Sequence, residues 1–384
     1  MAGLYIHIPF CKSRCIYCGF YSTTHEELKQ RYVDAVCREM GDLPQPLHRR
    51  GDFQPSPYDT IETIYLGGGT PSQLTGGQLE QLFCQIEKVY GLEHAEEVTI
   101  ECNPDDITEE YAERLGQLPV NRVSMGVQTF SNERLRFLHR RHTAEQIPIA
   151  VERLRKVGIR NISIDLMYGF PEETLDDWQG DIEKALQLDV EHLSAYCLMI
   201  EEGTVLYEQI YGGKGEPSIP DEELQRQMFE VLIDQLTAAG YEHYEISNFA
   251  RPDFRSRHNS SYWNQTPYIG LGAAAHGYNG TDCRRWNVDN IKVYIEGIEN
   301  GAPVFEQETL DADTRYNERV MTVLRTCEGL DLRQLSEGHK EYCLQQARRF
   351  VVDGLLQAVD DHLRLTRKGL FVSNMVMSDL MKVT

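Results

Sequence analysis

Three cysteines lie close together near the start of the chain. Cys11, Cys15 and Cys18 form a C-x3-C-x2-C pattern that begins directly after the first apolar, strand-like run. Such thiolates can hold one side of a [4Fe–4S] cluster, which usually takes four cysteines, so one iron would stay open to an outside ligand. A zinc site, with His7 or His25 as a fourth ligand, and a metal-free loop are alternatives that the spacing leaves open.

A glycine-rich turn, Gly67-Gly68-Gly69-Thr70, follows a second strand-like run and precedes a predicted helix. Glycine lets the backbone approach a ligand closely and adopt positive φ angles. The turn lacks the lysine of a P-loop and the full G-x-G-x-x-G spacing, which disfavours binding of a nucleoside triphosphate or a dinucleotide. An ordinary tight turn between a strand and a helix is the alternative.

Polar residues close three further apolar runs. Glu101 and Gln128 each end a predicted strand, and Asp165 lies late in another. In a (β/α) barrel the carboxyl ends of the strands form the active face, so these side chains predict one polar rim around a cavity. Arg140, which follows Gln128 after a short segment, is a candidate for the same rim. The alternative is that each polar residue only caps its own strand.

These residues need a framework of alternating strands and helices. Six strand–helix repeats predict an α/β fold with a parallel sheet and right-handed crossovers. A partial or full (β/α) barrel of the TIM type and a doubly wound sheet both satisfy this order. The predicted strands are Leu4–Ile8, Ile61–Leu66, Val98–Glu101, Arg122–Val127, Asn161–Leu166 and His192–Tyr196. The predicted helices are Glu26–Leu43, Gly77–Tyr90, Glu109–Leu118, Ser131–Leu138, Ala144–Val157 and Leu175–Leu188.

The pattern changes from about Pro220, and we predict three domains: a barrel core over 1–219, an extension over 220–300 and a winged-helix-like module over 301–384. The module carries 11 Lys and Arg against 13 Asp and Glu, which disfavours DNA binding. We expect it to cover the barrel mouth as a lid. The later predicted elements are helix Glu222–Ala239, strand Tyr241–Phe249, helices Ala312–Thr326 and Leu344–Val352, a hairpin of Leu355–Ala358 with Leu363–Thr366, and helix Lys368–Met381.

Composition excludes several classes of protein. The 384 residues are 41% hydrophobic and 26% charged, as in ordinary globular domains. The net charge is −22, which makes nucleic-acid binding unfavourable because the phosphate backbone is repelled. We expect neither a transmembrane segment nor a signal peptide, because no stretch is apolar enough and the N-terminus lacks a basic region. The expected compartment is therefore the cytoplasm.

Several blocks of sequence together resemble one known family. The chain is similar to the radical S-adenosylmethionine (SAM) superfamily, within it to the oxygen-independent coproporphyrinogen III oxidase family, and most of all to its HemW-type haem chaperones. The segments that carry this resemblance are Tyr5-Ile6-His7-Ile8-Pro9-Phe10-Cys11, Gly67-Gly68-Gly69-Thr70-Pro71-Ser72, Arg122-Val123-Ser124-Met125-Gly126-Val127-Gln128, Asp165-Leu166-Met167-Tyr168-Gly169, Tyr244-Glu245-Ile246-Ser247-Asn248 and His258-Asn259-Ser260-Ser261-Tyr262-Trp263.

The resemblance implies cofactors and residues that bind them. It implies a [4Fe–4S] cluster on Cys11, Cys15 and Cys18, with SAM chelating the open iron. One electron from the reduced cluster would then break a C–S bond of SAM and give a 5′-deoxyadenosyl radical. The residues that it assigns to the cofactor are Tyr5, Tyr17, Gly68, Gly69, Thr70, Glu101, Gln128, Arg140 and Asp165.

Two departures separate this sequence from the oxidases of that family. The oxidases carry a further cysteine two places after the third, where this sequence has Phe20, and a longer segment before the cluster. We therefore expect a haem chaperone that binds cluster, SAM and haem and transfers haem to an acceptor protein, and that lacks the oxidase activity. The alternative is an oxygen-independent coproporphyrinogen III oxidase or another radical SAM enzyme acting on a tetrapyrrole. An electron donor is a further expected partner; a nucleic acid is not.

His258 is a candidate ligand for haem iron. A neutral imidazole commonly ligates haem, aromatic rings pack on porphyrins, and arginine suits the propionates. The candidate residues around His258 are Arg251, Arg255, Arg257, Tyr262 and Trp263. The alternative is a loop histidine bonded within the protein, with the arginines in surface ion pairs. His276 is a second candidate, for which a structural role is favoured.

Overall fold

A computed structural model of the chain describes residues 2–42, 60–212 and 219–383. The predicted end of the first helix, Leu43, lies outside these residues. The strands are β1 (Ala2–Ile8), β2 (Ile61–Gly68), β3 (Glu97–Cys102), β4 (Arg122–Gln128), β5 (Asn161–Tyr168), β6 (His192–Cys197), β7 (Glu242–Glu245), β8 (Asn248–Ala250), β9 (Tyr268–Leu271), β10 (His276–Tyr278), β11 (Cys283–Asn287), β12 (Phe305–Thr309), β13 (Leu330–Asp331), β14 (Leu356–Val359) and β15 (His362–Leu365).

Helices connect the six central strands, as the apolar periodicity predicts. The helices are α1 (Lys29–Asp42), α2 (Gly76–Tyr90), α3 (Glu109–Leu115), α4 (Asn132–Phe137), α5 (Gln146–Lys156), α6 (Leu175–Gln187), α7 (Val205–Tyr211), α8 (Glu222–Ala238), α9 (Arg257–Trp263), α10 (Ile291–Asn300), α11 (Ala312–Val323), α12 (Glu337–Val352), α13 (Arg367–Leu370) and α14 (Ser373–Leu380). Side-chain oxygens of Thr75, Thr108, Ser131 and Thr174 accept backbone hydrogen bonds at the starts of α2, α3, α4 and α6.

The central sheet is a partial (β/α) barrel. Strands β1 to β6 are parallel and lie side by side in chain order. A doubly wound sheet would reverse its strand order at a switch point, so that alternative is wrong. The outer edge of β1 pairs with β9 and that of β6 pairs with β8, so the two edges do not meet to close a barrel.

Alternate positions of the central strands place polar side chains on the concave side of the sheet. On β4, Val123 and Val127 belong to the apolar core under the helices, whereas Ser124 and Gln128 line a cavity on the other side. A closed TIM barrel fills its interior with branched apolar side chains. This partial barrel therefore keeps a polar interior that a ligand can enter.

Helix α9 closes the concave side at the amino ends of the strands. Glu97, the first residue of β3, accepts hydrogen bonds from the backbone amides of Arg257 (2.8 Å) and His258 (3.0 Å). A carboxylate at this position complements the positive end of the helix and satisfies amides that the first turn leaves unpaired. The helix is thereby fixed as a floor below the polar interior.

The segment Tyr241–Phe249, predicted as one strand, forms two short antiparallel strands, β7 and β8. The carboxylate of Glu245 accepts hydrogen bonds from the Ser247 amide (2.9 Å) and from the Asn248 side chain (2.5 Å). These local bonds fold the chain back on itself, which alternation of apolar residues cannot reveal.

The C-terminal unit has its own apolar core. Helices α11, α12 and α14 surround a sheet of β13, β15 and β14, and the hairpin turns at Asp360 and Asp361 as predicted. Helix α12 begins well before the predicted Leu344, because Ser336 caps it through the His339 amide. The predicted helix Lys368–Met381 is broken into α13 and α14. Within the described ranges, no helix is both long and apolar enough to cross a membrane.

Candidate functional site

A cavity of about 580 Å³ opens at the carboxyl ends of the central strands. Glu101, Gln128 and Asp165 line it from β3, β4 and β5, and Arg140 reaches it from the segment after α4. The structure thus places the four residues of the predicted rim around one space. Tyr17, Cys18, Gly69 and Thr70 line the same cavity, from the cysteine loop and from the glycine-rich turn.

The cysteine loop follows β1 and stands beside this cavity. Its start is held by the hydrogen bond from the Cys11 amide to the Thr23 carbonyl (2.9 Å), and the thiols of Cys11, Cys15 and Cys18 are half-buried and free. The Cys11 Sγ lies 3.5 Å from Thr70 Oγ1, which joins the loop to the glycine-rich turn. Three free thiols on one loop at a polar cavity fit the donor set of an iron–sulfur cluster.

A zinc ion fits this arrangement less well. Both ring nitrogens of His7 are engaged, with the Tyr5 hydroxyl (3.0 Å) and the Tyr21 carbonyl (3.1 Å), and His25 pairs with Glu27 on the surface. Among the residues that the structure describes, no three His, Cys, Asp or Glu side chains converge on a position for one ion. Thiolates that each bind a different iron of a cluster do not need such convergence.

Arg140 links the cysteine loop to the ends of β3 and β4. Its guanidinium lies 3.6 Å from Cys15 Sγ and donates to Asn103 Oδ1 and to the Gly126 carbonyl, each at 2.6 Å. A Cβ on Gly126 would lie 2.9 Å from Arg140 Nη2, so glycine leaves the space that the guanidinium occupies. These contacts hold the Arg140 guanidinium in a fixed position beside Cys15.

Glu101 is held between β2 and β3. The Tyr65 hydroxyl donates to Oε1 (2.7 Å) and the Gly68 amide donates to Oε2 (3.1 Å). Burial raises the pKa of Glu101 to about 7 despite these bonds. Gly68 has a φ of 114°, and a Cβ there would lie 2.4 Å from the His7 ring, so this turn requires glycine. Gly68 therefore contributes by orienting Glu101, and it does not line the cavity.

Gln128 and Asp165 lie on neighbouring strands. Gln128 has a φ of 68°, and the β4–β5 register shifts between Gly126 and Gln128. A bulge at the end of a strand redirects its side chain, here into the cavity. Asp165 accepts a hydrogen bond from the Ser124 hydroxyl (3.5 Å), and burial raises its pKa to about 6.

Tyr5 lies deeper than the cavity wall. Its hydroxyl bonds to His7, and its ring packs beside those of Tyr65 (6.2 Å) and His258 (6.4 Å), which stack on each other at 5.0 Å. Several residues that line the cavity were not predicted from the sequence. Two of them, Ser124 and Ser194, occupy alternate strand positions, a pattern that would have indicated that their side chains face the cavity. The lining residues that were not singled out include Tyr65, Asn103, Ser124, Ser194, Tyr196, Met199 and Asn259.

The structure holds His258 in contacts within the protein, and haem ligation by this residue stays a prediction. The side chain is buried, with only 1% of the residue exposed. Its ring nitrogens bond to Thr63 Oγ1 (2.8 Å) and to the Tyr262 hydroxyl (2.9 Å), so neither has a free lone pair. Burial lowers the pKa of His258 to about 3, which keeps the ring neutral. The residue anchors α9 below the cavity, and it is Asn259 that reaches the lining.

The other residues of the predicted haem group are also engaged within the protein. Arg251 pairs with Asp189, Arg255 with Glu242 and Glu328, and Arg257 with Glu96. The hydroxyl of Tyr262 is bonded to His258, and the Trp263 ring lies under the guanidinium of Arg325 at 5.1 Å. The alternative of surface ion pairs therefore describes the three arginines in this structure, and propionate binding by them stays a prediction.

The expected lid is wrong, because none of the residues that line the cavity comes from 301–383. The unit instead contacts α9 through α11, and Arg325 Nε bonds to the buried Glu245 carboxylate at 2.8 Å. It packs against α9, the floor of the polar interior.

Comparison with known proteins agrees with this arrangement. The family described as the Radical SAM superfamily matches residues 5–185, and the HemN C-terminal domain matches 310–372. The chain is 34% identical to the heme chaperone HemW of Lactococcus lactis subsp. lactis over 97% of this chain and 95% of that protein. It is 37% identical to the heme chaperone HemW of Bacillus subtilis over 88% of this chain and 86% of that protein.

A solved structure shares the fold over nearly the whole chain. Coproporphyrinogen III oxidase (HemN) from Escherichia coli, described as a radical SAM enzyme, superposes with a TM-score of 0.83 at 23% identity. The superposition covers 99% of this chain and 90% of that one. At this identity the likeness establishes the architecture.

Proposed function

The chain belongs to the radical SAM superfamily and, within it, to the family of the heme chaperone HemW, and from this premise we propose that it binds a [4Fe–4S] cluster, SAM and haem and passes the haem to an acceptor protein. The observation that carries the proposal is the cysteine loop beside a polar cavity. When bound, cluster and SAM supply one-electron chemistry at a C–S bond.

The cluster would be held by Cys11, Cys15 and Cys18. The position two residues after the third cysteine is Phe20, whose ring is 72% exposed at the cavity and offers no thiolate. A cluster on this loop would thus keep one iron for an outside ligand. Thr70, next to Cys11, and Arg140, next to Cys15, position the two thiols.

SAM would occupy the cavity between the loop and the rim. Gly69 and Thr70 offer backbone polar groups at a turn that can approach a ligand closely. The carboxylates of Glu101 and Asp165 suit the ammonium and hydroxyl groups of such a ligand, and Gln128 adds an amide. Tyr17, which also lines the cavity, provides an aromatic wall beside the cluster.

Haem transfer is favoured over decarboxylation of coproporphyrinogen III. The two relatives that match over most of the chain at 34–37% identity carry the name heme chaperone. The oxidase, at 23% identity, supports the fold alone. The intact polar rim is nevertheless the feature that favours the second candidate, a radical reaction on a tetrapyrrole. We propose that cofactor binding is retained and that conversion of coproporphyrinogen III is not.

Reconstitution without oxygen tests the cluster. We expect iron and sulfide near four of each per chain, and an EPR signal of the reduced cluster that changes when SAM is added. Cys15→Ser should lose most of the iron and the signal, whereas Cys84→Ser, which changes an exposed thiol on α2, should keep both. Equal iron contents in these two variants would contradict the assignment.

A second assay separates the chaperone from the oxidase. The reconstituted protein is incubated anaerobically with coproporphyrinogen III, SAM and a reductant, and is separately titrated with ferric haem. We expect one haem per chain and no protoporphyrinogen IX. Formation of that product at more than one turnover would establish the oxidase instead, and failure to bind haem would refute the chaperone proposal.

A further inference from the structure

A second group of chemically capable residues lies on the sheet extension beyond β1. His276 and Tyr278 on β10 pair with Trp286 and Arg284 on the antiparallel strand β11. Residues paired in this way, and residues two apart on one strand, point to the same face of a sheet. These four side chains, which we call the His276 face, therefore form one surface. They do not line the cavity beside the cysteine loop.

His276 differs from the buried histidines of the molecule. It is exposed, and neither ring nitrogen has a hydrogen-bond partner in the described part of the chain. The ring stacks on Trp286, with centroids 6.3 Å apart and planes at 26°, which fixes its orientation. Partial burial and the charge of Arg284 lower its pKa, which favours the neutral imidazole. A neutral imidazole with a free lone pair is a ligand for iron.

A cleft of about 400 Å³ adjoins this face at Tyr278, between the sheet extension and the C-terminal unit. Arg315 and Arg319 of α11 line it, and both act electrostatically on the Tyr278 hydroxyl, as do the carboxylates of Glu318 and Asp282. Arg319 bonds to the amide oxygens of Gln265 (2.9 Å) and Gln334 (2.5 Å). Among the described residues, neither arginine forms an ion pair with a carboxylate.

Arg315 and Arg319 differ in this respect from four arginines described above. Arg251, Arg255 and Arg257 each pair with an acidic side chain, and Arg284 on the His276 face is held by Glu308 and Glu318. In a chain of net charge −22, Arg315 and Arg319 keep donors that an incoming carboxylate can use. The cleft therefore suits the anionic end of a ligand. The other end of the same ligand would contact His276.

We propose that the His276 face and the adjoining cleft bind haem, with the His276 imidazole on the iron, Tyr278 against the macrocycle, and Arg315 and Arg319 on the propionates. Trp286 is a positioning residue, because it holds the imidazole by stacking. This assignment rests on the proposed haem-chaperone function and names the site that the function requires. It replaces the buried His258 with an exposed histidine, and it puts the cargo on a surface that an acceptor protein can reach.

Titration of the full-length protein with ferric haem tests the iron ligand. We expect His276→Ala to weaken binding roughly tenfold or more and to shift the Soret band, because an axial ligand is lost. The matched control is His94→Ala, which changes an exposed histidine in a surface turn and should leave affinity and spectrum unchanged. Iron-free protoporphyrin IX should bind the wild type and His276→Ala equally, because it lacks the metal.

The arginines are tested in the same titration. Arg315→Gln with Arg319→Gln should weaken binding of both haem and iron-free porphyrin roughly tenfold, because charge-assisted contacts to the propionates are lost. Arg251→Gln, which removes an arginine already paired with Asp189, should not change affinity. Wild-type protein that binds no haem would refute the chaperone function. Wild-type protein that binds one haem, with affinity and Soret band unchanged in His276→Ala, would refute only the site.

Discussion

At the scale of single residues, the polar interior holds two carboxyl groups whose pKa values are raised above the ordinary range. Burial raises the pKa of Glu101 to about 7 and that of Asp165 to about 6, and the nearby charge of Asp165 adds to the effect on Glu101. A cation bound in the cavity would reverse these shifts, because an opposite charge favours the carboxylate. The site is thus built to gain from binding a positively charged ligand.

The raised pKa of Glu101 makes stability depend on pH. Between the ordinary value of 4.5 and about 7 the folded chain binds more protons than the unfolded chain, so the free energy of unfolding falls as pH rises through this window. The shift corresponds to at most about 3 kcal/mol. We expect urea unfolding of the SAM-free protein at pH 5 and pH 8 to show a smaller fall for Glu101→Gln than for the wild type.

The control for this measurement is Glu152→Gln, which changes an exposed carboxylate on α5. Its fall in stability between the two pH values should match that of the wild type. If Glu101→Gln shows the full wild-type fall as well, the burial of Glu101 does not set the pH dependence.

At the scale of elements, the six central strands were predictable because their apolar faces alternate with polar ones. Strand β4 was predicted as Arg122–Val127 and is found at Arg122–Gln128. Glu101, Gln128 and Asp165 could be placed at the rim for the same reason, since parallel strands bring their carboxyl ends to one edge. The role of His258 could not be predicted, because its burial depends on the amino ends of β2 and β3, which are distant in sequence.

The turn after β2 shows how backbone conformation supports the site. Gly68 has a φ of 114°, which other residues rarely adopt. A Cβ at this position would also lie 2.4 Å from the His7 ring, so a side chain is excluded. We expect Gly68→Ala to lower the free energy of unfolding by roughly 1–3 kcal/mol and to weaken SAM binding, because the amide that orients Glu101 is displaced. Thermal unfolding and SAM titration of the reconstituted protein measure the two effects.

Gly77 offers a matched control for this substitution. It lies in the first turn of α2, where an added Cβ would have no neighbouring atom within 4 Å. Gly77→Ala should therefore raise stability by roughly 0.5–1 kcal/mol, because alanine is the better helix former, and should leave SAM binding unchanged. A loss of SAM binding in both variants would show that the effect is not specific to the turn.

At the scale of the whole molecule, the two candidate sites lie in different places. No residue of the C-terminal unit lines the cavity beside the cysteine loop, whereas the cleft at Tyr278 lies between the sheet extension and that unit. The C-terminal unit is joined to the barrel by hydrogen bonds from the Ile246 amide to the Arg325 carbonyl (3.1 Å) and from the Cys327 amide to the Tyr244 carbonyl (3.0 Å). Loosening this junction should therefore affect the two sites differently.

Arg325 provides the substitution that tests this difference. Its guanidinium bonds to the buried Glu245 carboxylate at 2.8 Å and lies over the Trp263 ring. Removing one partner of a buried ion pair leaves the charge of the other uncompensated. Because Arg325 is itself partly exposed, we expect Arg325→Ala to lower the free energy of unfolding by only about 2 kcal/mol. Helix α11 carries Arg315 and Arg319 and leads directly into this junction. We therefore expect Arg325→Ala to lower haem affinity several-fold and to leave SAM affinity at the wild-type value.

The comparison variant is Arg333→Ala, which removes an exposed ion pair with Asp331 in the same unit and should change neither affinity. Parallel titrations with ferric haem and with SAM measure both sites in one preparation. An equal loss of both affinities in Arg325→Ala would mean that the junction supports the whole fold rather than the cleft. An unchanged haem affinity in a variant that has lost the expected stability would mean that haem binds away from the C-terminal unit.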